Sequence, residues 1–518
     1  MVAATRTVSV FLRPGKPLPG LQPDGRMPRY TREALASEFG ATAADRNAVQ
    51  AFARSHGLSS ERQDAWRYEL SGTPEAMSAA FAIDLAIWDL EKPLPAEGLP
   101  AGSLAGLQGL STVPMTSDTG RPAPPPAVSS GPSGALTGIT PGQVATLLEF
   151  PDDSLYGAGQ KIAVLEGDGG IPATYSSDLA LAIAASYPAL PGQSAPTPQP
   201  LLKPIGVAGG APNPENPGRE VELDLQLVQT LAPAARVQPI FYGPGWVGTV
   251  EGLATAVMMD GVSVITWSDE AGDLSLLQRE VLAFYCQVAA CVGITICKGA
   301  GDDGAYPKQA PADRDTAAKE PSVYLLPSLP WVLSSGGVMI EASAGAITWT
   351  VWNTSSPTRR PHFDASGGGF SPYFPLPDWQ KAAVEAYDDP NPSGPAKPAD
   401  SRGVPDVASI AYLLLIFRDN EPGLGGGCSA TGPVMAAMIA RLNAIVGRNA
   451  GFINPLLYGN PSVFVDVTHG NNGVETIGPG WTATPGWDPC TGLGVPRAGK
   501  LLELLQADAG QSEARIAG

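Results

Sequence analysis

The sequence predicts an α/β protein with a large parallel sheet flanked by helices, preceded by a small α/β domain. Two observations lead to this fold class. Beyond residue 140, short continuous apolar runs alternate with stretches of helical periodicity, as a parallel sheet covered on both faces requires. Residues 1–117 instead show strands of alternating polarity separated by short helices, a pattern typical of a small open sandwich.

The small domain is predicted to contain three strands and three helices. In order, these are a strand at 5–13, helices at 31–39 and 45–56, a strand at 66–70, a helix at 73–81 and a strand at 84–90. Thr31 and Thr73 stand at the starts of two of these helices, where a hydroxyl side chain caps free backbone N–H groups.

Residues 118–140 separate the two domains and are rich in Pro, Gly, Ser and Ala. Such a composition buries too little apolar surface to order itself. The sequence therefore predicts an exposed linker here, with a processing site within it.

The large domain, 141–518, alternates strands with helices. Its predicted strands are 161–166, 236–241, 262–267 and 293–297, and its predicted helices are 176–186, 221–231, 250–259 and 274–290. Sites in parallel sheets form at the carboxyl ends of the strands. We therefore expect functional side chains directly after the apolar runs.

The composition argues against several classes of partner. The 32 Lys and Arg against 50 Asp and Glu give a net charge of −18, which disfavours phosphate backbones and anionic membranes. No apolar run reaches the about 18 residues of a membrane span, and no ordinary secretory signal is visible. The five cysteines are an odd number without a metal-type pair, so at most one or two disulfides are expected.

Ser429 lies on a glycine-rich turn that opens an apolar helix. Glycines let a substrate approach the backbone, and the free N–H groups of a helix start stabilise a developing oxyanion. The local pattern alone favours a serine that merely caps a buried helix. A nucleophilic serine also needs a base, and the chain has three histidines, His56, His362 and His469.

Carboxylates are the other candidate bases. Glu220 and Asp224 are four residues apart, so they share one face of a mostly apolar helix. In an apolar setting two carboxylates share a proton, which suits general acid and base chemistry at low pH. The alternative is an acidic pair at a solvated helix edge.

Two further regions carry carboxylates in glycine-rich loops. Asp302 follows the apolar run 293–297, where it forms either a simple turn or one side of a reaction centre. The loops at 466–473 and 484–494 offer carboxylate and backbone oxygens, which a hard cation such as calcium prefers. The alternative for these loops is a pair of turns held by Asp and Asn side chains.

Taken in order, these motifs resemble the sedolisin, or serine-carboxyl peptidase, family, and its kumamolisin-like members in particular. The resemblance covers nearly the whole chain: 28–40, 55–58 and 70–81 resemble the activation prodomain, 139–145 the start of the mature enzyme, and 367–380, 402–408 and 486–494 later landmarks. It implies a subtilisin-like catalytic domain over 141–518 with C-terminal calcium loops, preceded by a ferredoxin-like prodomain over 1–117.

The resemblance also implies a role for each candidate residue. Ser429 is the implied nucleophile, Glu220 the base and Asp224 its supporting acid. Asp302 is the implied oxyanion donor, which must be protonated and so ties the chemistry to acid pH. The remaining implied residues are Glu166 and Trp267 in a supporting network, and Asp466, Val467, Thr484, Gly486 and Asp488 around one calcium ion.

The implied protein is an acid-acting serine endopeptidase with polypeptide substrates, monomeric, extracytoplasmic and made as a self-processing proenzyme. Its own prodomain would be an intramolecular inhibitor, and acid would loosen the contact between the prodomain and the catalytic domain. Two departures from the family stand out: Cys428 replaces the threonine beside the nucleophile, and Tyr324 replaces an aspartate of the substrate pocket. Two alternatives stay open, a retired peptidase kept as a binding protein and a Ser-His-Asp hydrolase that uses His362.

Overall fold

The structure is a computed structural model that describes residues 5–85, 88–89, 92–108, 138–167, 169–187, 195–215, 217–270, 274–307, 320–343, 346–355 and 364–517. The predicted linker, 118–140, lies outside these ranges apart from its last three residues. The predicted processing site and the role considered for His362 therefore lie outside the described residues.

The described part of the N-terminal domain forms a four-stranded antiparallel sheet with helices. In chain order the elements are β1 (Arg6–Phe11), α1 (Arg32–Phe39), α2 (Ala43–Ser55), β2 (Ser59–Arg62), β3 (Arg67–Gly72), α3 (Pro74–Phe81) and β4 (Leu104–Leu107). The strand order is β2-β3-β1-β4. Thr31 and Thr73 cap α1 and α3 through their hydroxyl groups, as expected. The ferredoxin-like assignment stays a prediction.

The predicted strand at 84–90 is wrong. The described residues of that stretch belong to no strand, and the sheet takes its fourth strand from β4 instead. Ala82 ends α3 in the left-handed conformation, and the indole N–H of Trp88 donates to the carbonyl of Lys92, so the chain turns here. The exposed strand β2 carries no apolar alternation, which is why the pattern does not reveal it.

The larger domain is built on an eight-stranded sheet in the described residues. Its members are β5 (Lys161–Glu166), β6 (Ile205–Val207), β7 (Arg236–Tyr242), β8 (Val264–Trp267), β9 (Thr295–Gly299), β10 (Leu333–Ser343), β11 (Ala346–Val351) and β14 (Val407–Ile410). The order is β11-β10-β9-β8-β5-β7-β6, with β14 paired to β10, and only the β10–β11 pair is antiparallel. The predicted parallel sheet is confirmed.

Helices and short two-stranded ribbons surround this sheet. The helices are α4 (Pro141–Leu147), α5 (Tyr175–Ser186), α6 (Arg219–Leu231), α7 (Gly245–Met258), α8 (Leu276–Val292), α9 (Asp378–Ala386), α10 (Thr431–Val446), α11 (Asn454–Tyr458) and α12 (Ala498–Ala517). The ribbons pair β12 (Gly369–Phe370) with β13 (Gly403–Val404), β15 (Leu414–Arg418) with β16 (Glu421–Gly425), and β17 (Phe464–Val465) with β18 (Val495–Pro496). The strands and helices predicted for this domain are confirmed with shifted ends.

The sheet separates two hydrophobic cores, because successive side chains of a strand point to opposite faces. Ile162 and Val164 of β5 join the core that contains α6 and α10. Ala163 and Leu165 join the core that contains α7 and α8. The segment Cys428–Val446 is long and apolar enough to cross a membrane, but 78% of it is buried within the first core. Its apolar character is therefore explained by the fold.

The N-terminal domain rests on α7 and α8, and its apolar residues belong to the same core as theirs. The Ser9 hydroxyl donates to Glu251 Oε1 on α7 at 2.6 Å, and Arg67 forms an ion pair with the other oxygen of Glu251. On α8, the Tyr285 hydroxyl donates to Asp64 at 3.1 Å. Polar groups and packed side chains thus join the two domains on one face of the sheet.

Candidate active site

The candidate site lies at the carboxyl edge of the parallel sheet, where sequence reasoning placed it. Glu166 ends β5, Trp267 ends β8, and Asp302 follows β9. These strands are neighbours in the order β9-β8-β5. Residues far apart in sequence are therefore side by side, and the N-termini of α6 and α10 close the site from one face.

The glycine-rich turn that carries Ser429, residues 425–429, is tightly packed against β9. Gly427 has φ +92°, and a Cβ at this position would lie 2.4 Å from Asp302 Oδ2. A Cβ on Gly299 would lie 2.2 Å from the carbonyl oxygen of Cys428. Glycine is thus required at both positions, on backbone grounds at Gly427 and for space at Gly299. Ser429 is left partly exposed between two buried neighbours.

Glu220 and Asp224 reach the site from the first turns of α6. Glu220 Oε1 is buried without a hydrogen-bond partner among the described residues, and the nearby Ser429 side chain lowers the pKa of Glu220. Asp224 is fully buried, and its Oδ2 accepts a hydrogen bond from the Ser268 hydroxyl at 2.6 Å. The same hydroxyl lies 3.2 Å from the carbonyl oxygen of Ser429. Glu220 therefore lies near the serine side chain, and Asp224 reaches the serine backbone through Ser268.

Asp302 lies on the other side of the turn that carries Ser429. Its Oδ1 accepts a hydrogen bond from the backbone N–H of Cys428 at 2.6 Å. Burial raises its pKa to about 8, against the lowering effect of that N–H. Asp302 is therefore protonated at acid and neutral pH, when a carboxyl group can donate a hydrogen bond.

Burial raises the pKa of the other site carboxyls as well. The pKa of Glu220 rises to about 7, although the nearby Ser429 side chain and the charge of Lys298 lower it. Burial and the charge of Glu220 raise the pKa of Asp224 well above its usual range. Burial, followed by the charge of Asp224, does the same for Glu166. The group titrates as a coupled set in which few members are ionised at once.

The supporting network differs in detail from its expected form. Glu166 is buried beside Asp224 and Asp269, as anticipated for a group behind the pair. The indole N–H of Trp267 donates to the Tyr242 hydroxyl at 3.0 Å, and that hydroxyl donates to Asp269 at 2.8 Å. Trp267 is therefore connected to Asp269 through the Tyr242 hydroxyl.

Several residues of the site escaped sequence reasoning. They are Ser268, Asp269 and Glu270, which follow β8, Tyr242, which ends β7, and Lys298 on β9. All lie at or near the carboxyl end of a strand, so the strand-end rule indicates the region without selecting the residues. The other two histidines bond elsewhere, His56 to the Phe52 carbonyl and His469 to the Thr468 hydroxyl.

The two departures from the family are local. Cys428 is buried, with its sulfur 4.0 Å from the Ser366 hydroxyl and its main chain bonded to Asp302. The Tyr324 hydroxyl donates to Asp303, and its ring lies against Gly301. All five cysteines are free thiols, so the structure contains no disulfide among them.

The predicted calcium loops converge on residues 484–488. Asp466 Oδ2 accepts from the backbone N–H of Gly486 at 2.9 Å, and Asp488 Oδ2 accepts from that of Thr484 at 3.3 Å. Asp488 is buried, whereas Asp466 is exposed. Within the described ranges no three acidic, His or Cys side chains form a metal cluster. A cation here would thus use two carboxylates and main-chain carbonyls, a donor set that fits calcium.

Comparison with known proteins identifies the family, although no family model matches the chain. Kumamolisin from Bacillus sp. (strain MN-32) is 33% identical over 524 residues, which cover 95% of this chain and 88% of that protein. The chain belongs to the sedolisin family. It is accordingly a serine-type peptidase with the parallel α/β fold of that family.

Other relatives of this sedolisin match shorter parts. Physarolisin from Physarum polycephalum is 34% identical over 252 residues, covering 42% of this chain and 43% of that protein. Among solved structures, a Pseudomonas sedolisin, a serine-carboxyl proteinase complexed with pseudo-iodotyrostatin, has a TM-score of 0.58 and 25% identity. The aligned region covers 73% of this chain and 100% of the Pseudomonas chain.

Proposed function

We propose that this sedolisin is an endopeptidase that cleaves peptide bonds at acid pH through an acyl-enzyme on Ser429. The observation that carries the proposal is the placement of Ser429 between Glu220, whose buried Oε1 has no hydrogen-bond partner among the described residues, and Asp302, which is bonded to the same turn. Glu220 accepts the serine proton while Ser429 Oγ attacks the scissile carbonyl. Protonated Asp302 donates to the resulting oxyanion. Glu220 then returns the proton to the leaving amine, and water completes the cycle.

The test compares Ser429→Ala, Glu220→Gln and the double variant in peptide cleavage across an acid-to-neutral pH series. Each single variant should lose several powers of ten in turnover, and the double variant should be hardly worse, because the residues act as a unit. Glu222→Gln is the matched control: it lies on α6 but pairs with Arg418 instead of Ser429. An activity that survives Glu220→Gln would reject the proposal.

The same experiment separates the alternatives. A retired peptidase kept as a binding protein would show no cleavage in the parent chain. A hydrolase that uses His362 would lose its activity on His362→Ala and keep it on Glu220→Gln. The joint presence of Ser429, Glu220, Asp224 and Asp302 at one strand edge supports the carboxylate mechanism.

We also propose that the protein is a self-processing, monomeric proenzyme with its own N-terminal domain as intramolecular inhibitor. The N-terminal domain packs on α7 and α8 within a shared hydrophobic core, and this packing supports the inhibitory role. A purified Ser429→Ala chain should stay at full length at acid pH, whereas the parent is cut between the domains. Equal processing of both, free of other proteases, would contradict it. A place of action outside the cytoplasm stays a prediction, for which fractionation of the producing cells is the measurement.

Calcium is the proposed metal of the C-terminal loops. The convergence of Asp466 and Asp488 on residues 484–486 supports it, with the carbonyls of Val467, Thr484 and Gly486 as further ligands. A ligand that binds only the folded state stabilises it by about 2.7 kcal/mol at a hundredfold excess over its Kd. Chelation at neutral pH should thus lower the melting temperature of the parent but not of Asp466→Asn. An unchanged melting curve together with a calcium-free elemental analysis would remove the metal.

A further inference from the structure

Lys298 is a buried lysine in the middle of the candidate site. It lies on β9, only 1% exposed, on a strand otherwise made of apolar and small residues at that depth. A buried ammonium group costs several kcal/mol unless partners compensate it. Its presence four residues before Asp302 therefore calls for a physical reason.

The three N–H groups of Lys298 each have an acceptor. Nζ lies 2.8 Å from Glu270 Oε1, 3.3 Å from the carbonyl of Ser268 and 3.2 Å from the carbonyl of Gly299. The first two acceptors belong to the segment that follows β8, and the third ends β9. Lys298 thus links the carboxyl ends of β8 and β9, which flank the turn that carries Ser429.

Ser268 connects Lys298 to Asp224 and Ser429. Its carbonyl is held by Lys298, and its hydroxyl donates to Asp224 at 2.6 Å and lies 3.2 Å from the Ser429 carbonyl. Gly299, the other carbonyl partner, packs directly under the Cys428 carbonyl. A change at Lys298 therefore reaches Asp224 and Ser429 through one intervening residue each.

We propose that Lys298 is a positioning residue of the peptidase, which holds Ser268 against Asp224 and supplies the positive charge that keeps the Glu220–Asp224 pair partly ionised in acid. Glu270 is its counter-ion and the partner that fixes its direction. This inference rests on the proposed role of Glu220 as the base.

The charges around Lys298 make the sign of its effect clear. Glu220 and Asp224 on α6, Asp269 and Glu270 after β8, Glu166 on β5, and Asp302 and Asp303 after β9 are all acidic, and the Cys428 thiol is the further titratable group. Lys298 lowers the pKa of both Glu220 and Asp224 against the raising effect of burial. Without it the pair would hold its protons to higher pH, and the base would be lost earlier on acidification.

Glu270 makes this effect stronger in acid. Burial raises its pKa to about 7, although Lys298 lowers it. As the pH falls below neutrality Glu270 therefore takes up a proton, and its charge no longer offsets that of Lys298. The field of Lys298 on Glu220 and Asp224 is thus largest in the range where the proposed chemistry works.

The test measures kcat/KM against pH for Lys298→Met, Glu270→Gln and the double variant, with melting temperature as the check on folding. Lys298→Met should move the acid-side midpoint upward by about one pH unit or more, the shift expected from losing one nearby opposite charge. Glu270→Gln should leave that midpoint unchanged or move it lower. The double variant should show the same acid-side midpoint as Lys298→Met. It replaces the single variant in the test if an unpaired Glu270 prevents Lys298→Met from folding.

A second readout does not depend on activity. In the Ser429→Ala background, carbon-13 NMR titration of the carboxyl groups should show the highest-titrating members move to still higher pH on Lys298→Met. Midpoints that stay in place in both measurements, or that Glu270→Gln raises as far as Lys298→Met, would overturn the inference. That outcome differs from failure of the proposed function, in which activity survives Glu220→Gln.

Discussion

In the proposed mechanism Asp302 has the least ordinary task of any residue in the site, because a carboxyl group would have to donate a hydrogen bond there. Its pKa of about 8 sets the pH above which the donor is lost. Asp302→Asn keeps an N–H donor that does not titrate, so we expect turnover to fall about tenfold and the alkaline limb of the pH profile to flatten. Asp302→Ala removes the donor and should cost about 10²–10³ in turnover, as for other oxyanion donors.

Turnover against pH checks this prediction, with Asp303→Asn as the matched control. Asp303 is adjacent in sequence but accepts its hydrogen bond from Tyr324, away from the Cys428 N–H. The control should keep the alkaline limb of the parent. An alkaline limb that persists unchanged in Asp302→Asn would assign that titration to another group.

The same residue scale shows what the sequence can and cannot indicate. Spacing alone places Glu220 and Asp224 on one helix face, and a motif singles out Ser429. Ser268 has no such signal, because its partners are 44 and 161 residues away along the chain. Lys298 is similarly hidden, since its acceptors are two carbonyls and a carboxylate that only the fold assembles.

At the scale of elements, predictions succeed where a periodic pattern and a burial requirement agree. The stretch 281–297 is divided as expected, because Gly293 ends α8 with φ +83° and β9 begins at Thr295. The stretch 84–90 alternates like a strand, yet its described residues belong to no strand. Its sequence satisfies the local pattern, but β1 takes β4 as its edge partner. Pairing of distant strands decides such cases, and a local pattern of polarity does not reveal that pairing.

The contact between β4 and α7 gives a prediction for the inhibitory role of the N-terminal domain. A Cβ on Gly106 would lie 2.3 Å from Val247 and 2.4 Å from Trp246, so Gly106→Val forces the two elements apart. Overpacking of this kind costs about 1–3 kcal/mol. We expect self-processing at a fixed acid pH to be roughly tenfold faster, followed as loss of the full-length chain on gels.

Gly20→Val is the matched control, because nothing lies within 4 Å of a Cβ at Gly20. It makes the same chemical change in the same domain and should process at the parental rate. Equal rates for Gly106→Val and Gly20→Val would show that docking of β4 on α7 does not limit processing.

Acid does not loosen the domain contact through its buried ion pair. Burial raises the pKa of Glu251 to about 6, even though Arg67 lowers it. The docked state therefore binds the proton more tightly than an exposed glutamate does, and protonation of Glu251 favours docking as the pH falls. Protonation of Glu251 therefore does not support the proposed loosening of the domain contact in acid.

At the scale of the whole molecule, the two predicted domains prove to share a core. The N-terminal domain contributes its apolar face to the layer that α7 and α8 form on the sheet. Composition and periodicity predict a division of the chain at the linker region. They do not show that the division crosses a continuous hydrophobic core, because each half satisfies its own pattern.

The whole molecule should be more stable in acid than at mildly alkaline pH. Burial raises the folded-state pKa of Glu166, Glu220, Asp224, Glu270 and Asp302, to about 7 for Glu220 and Glu270 and about 8 for Asp302. A carboxyl group with a raised pKa stabilises the fold fully below its unfolded pKa of about 4 and loses that contribution as the pH rises through the folded value. The net charge of −18 acts in the same direction through self-repulsion.

We therefore expect the melting temperature of the uncleaved Ser429→Ala chain to fall by at least roughly 5 °C between pH 5 and pH 8 at constant ionic strength. Glu220→Gln with Asp302→Asn in that background removes two of the titrating groups and should flatten the decline. Added salt should not, because it screens surface charges far more than buried ones. A melting temperature that rises toward pH 8, or a decline that salt abolishes and the substitutions leave intact, would assign the pH dependence to the surface instead of the buried carboxyl cluster.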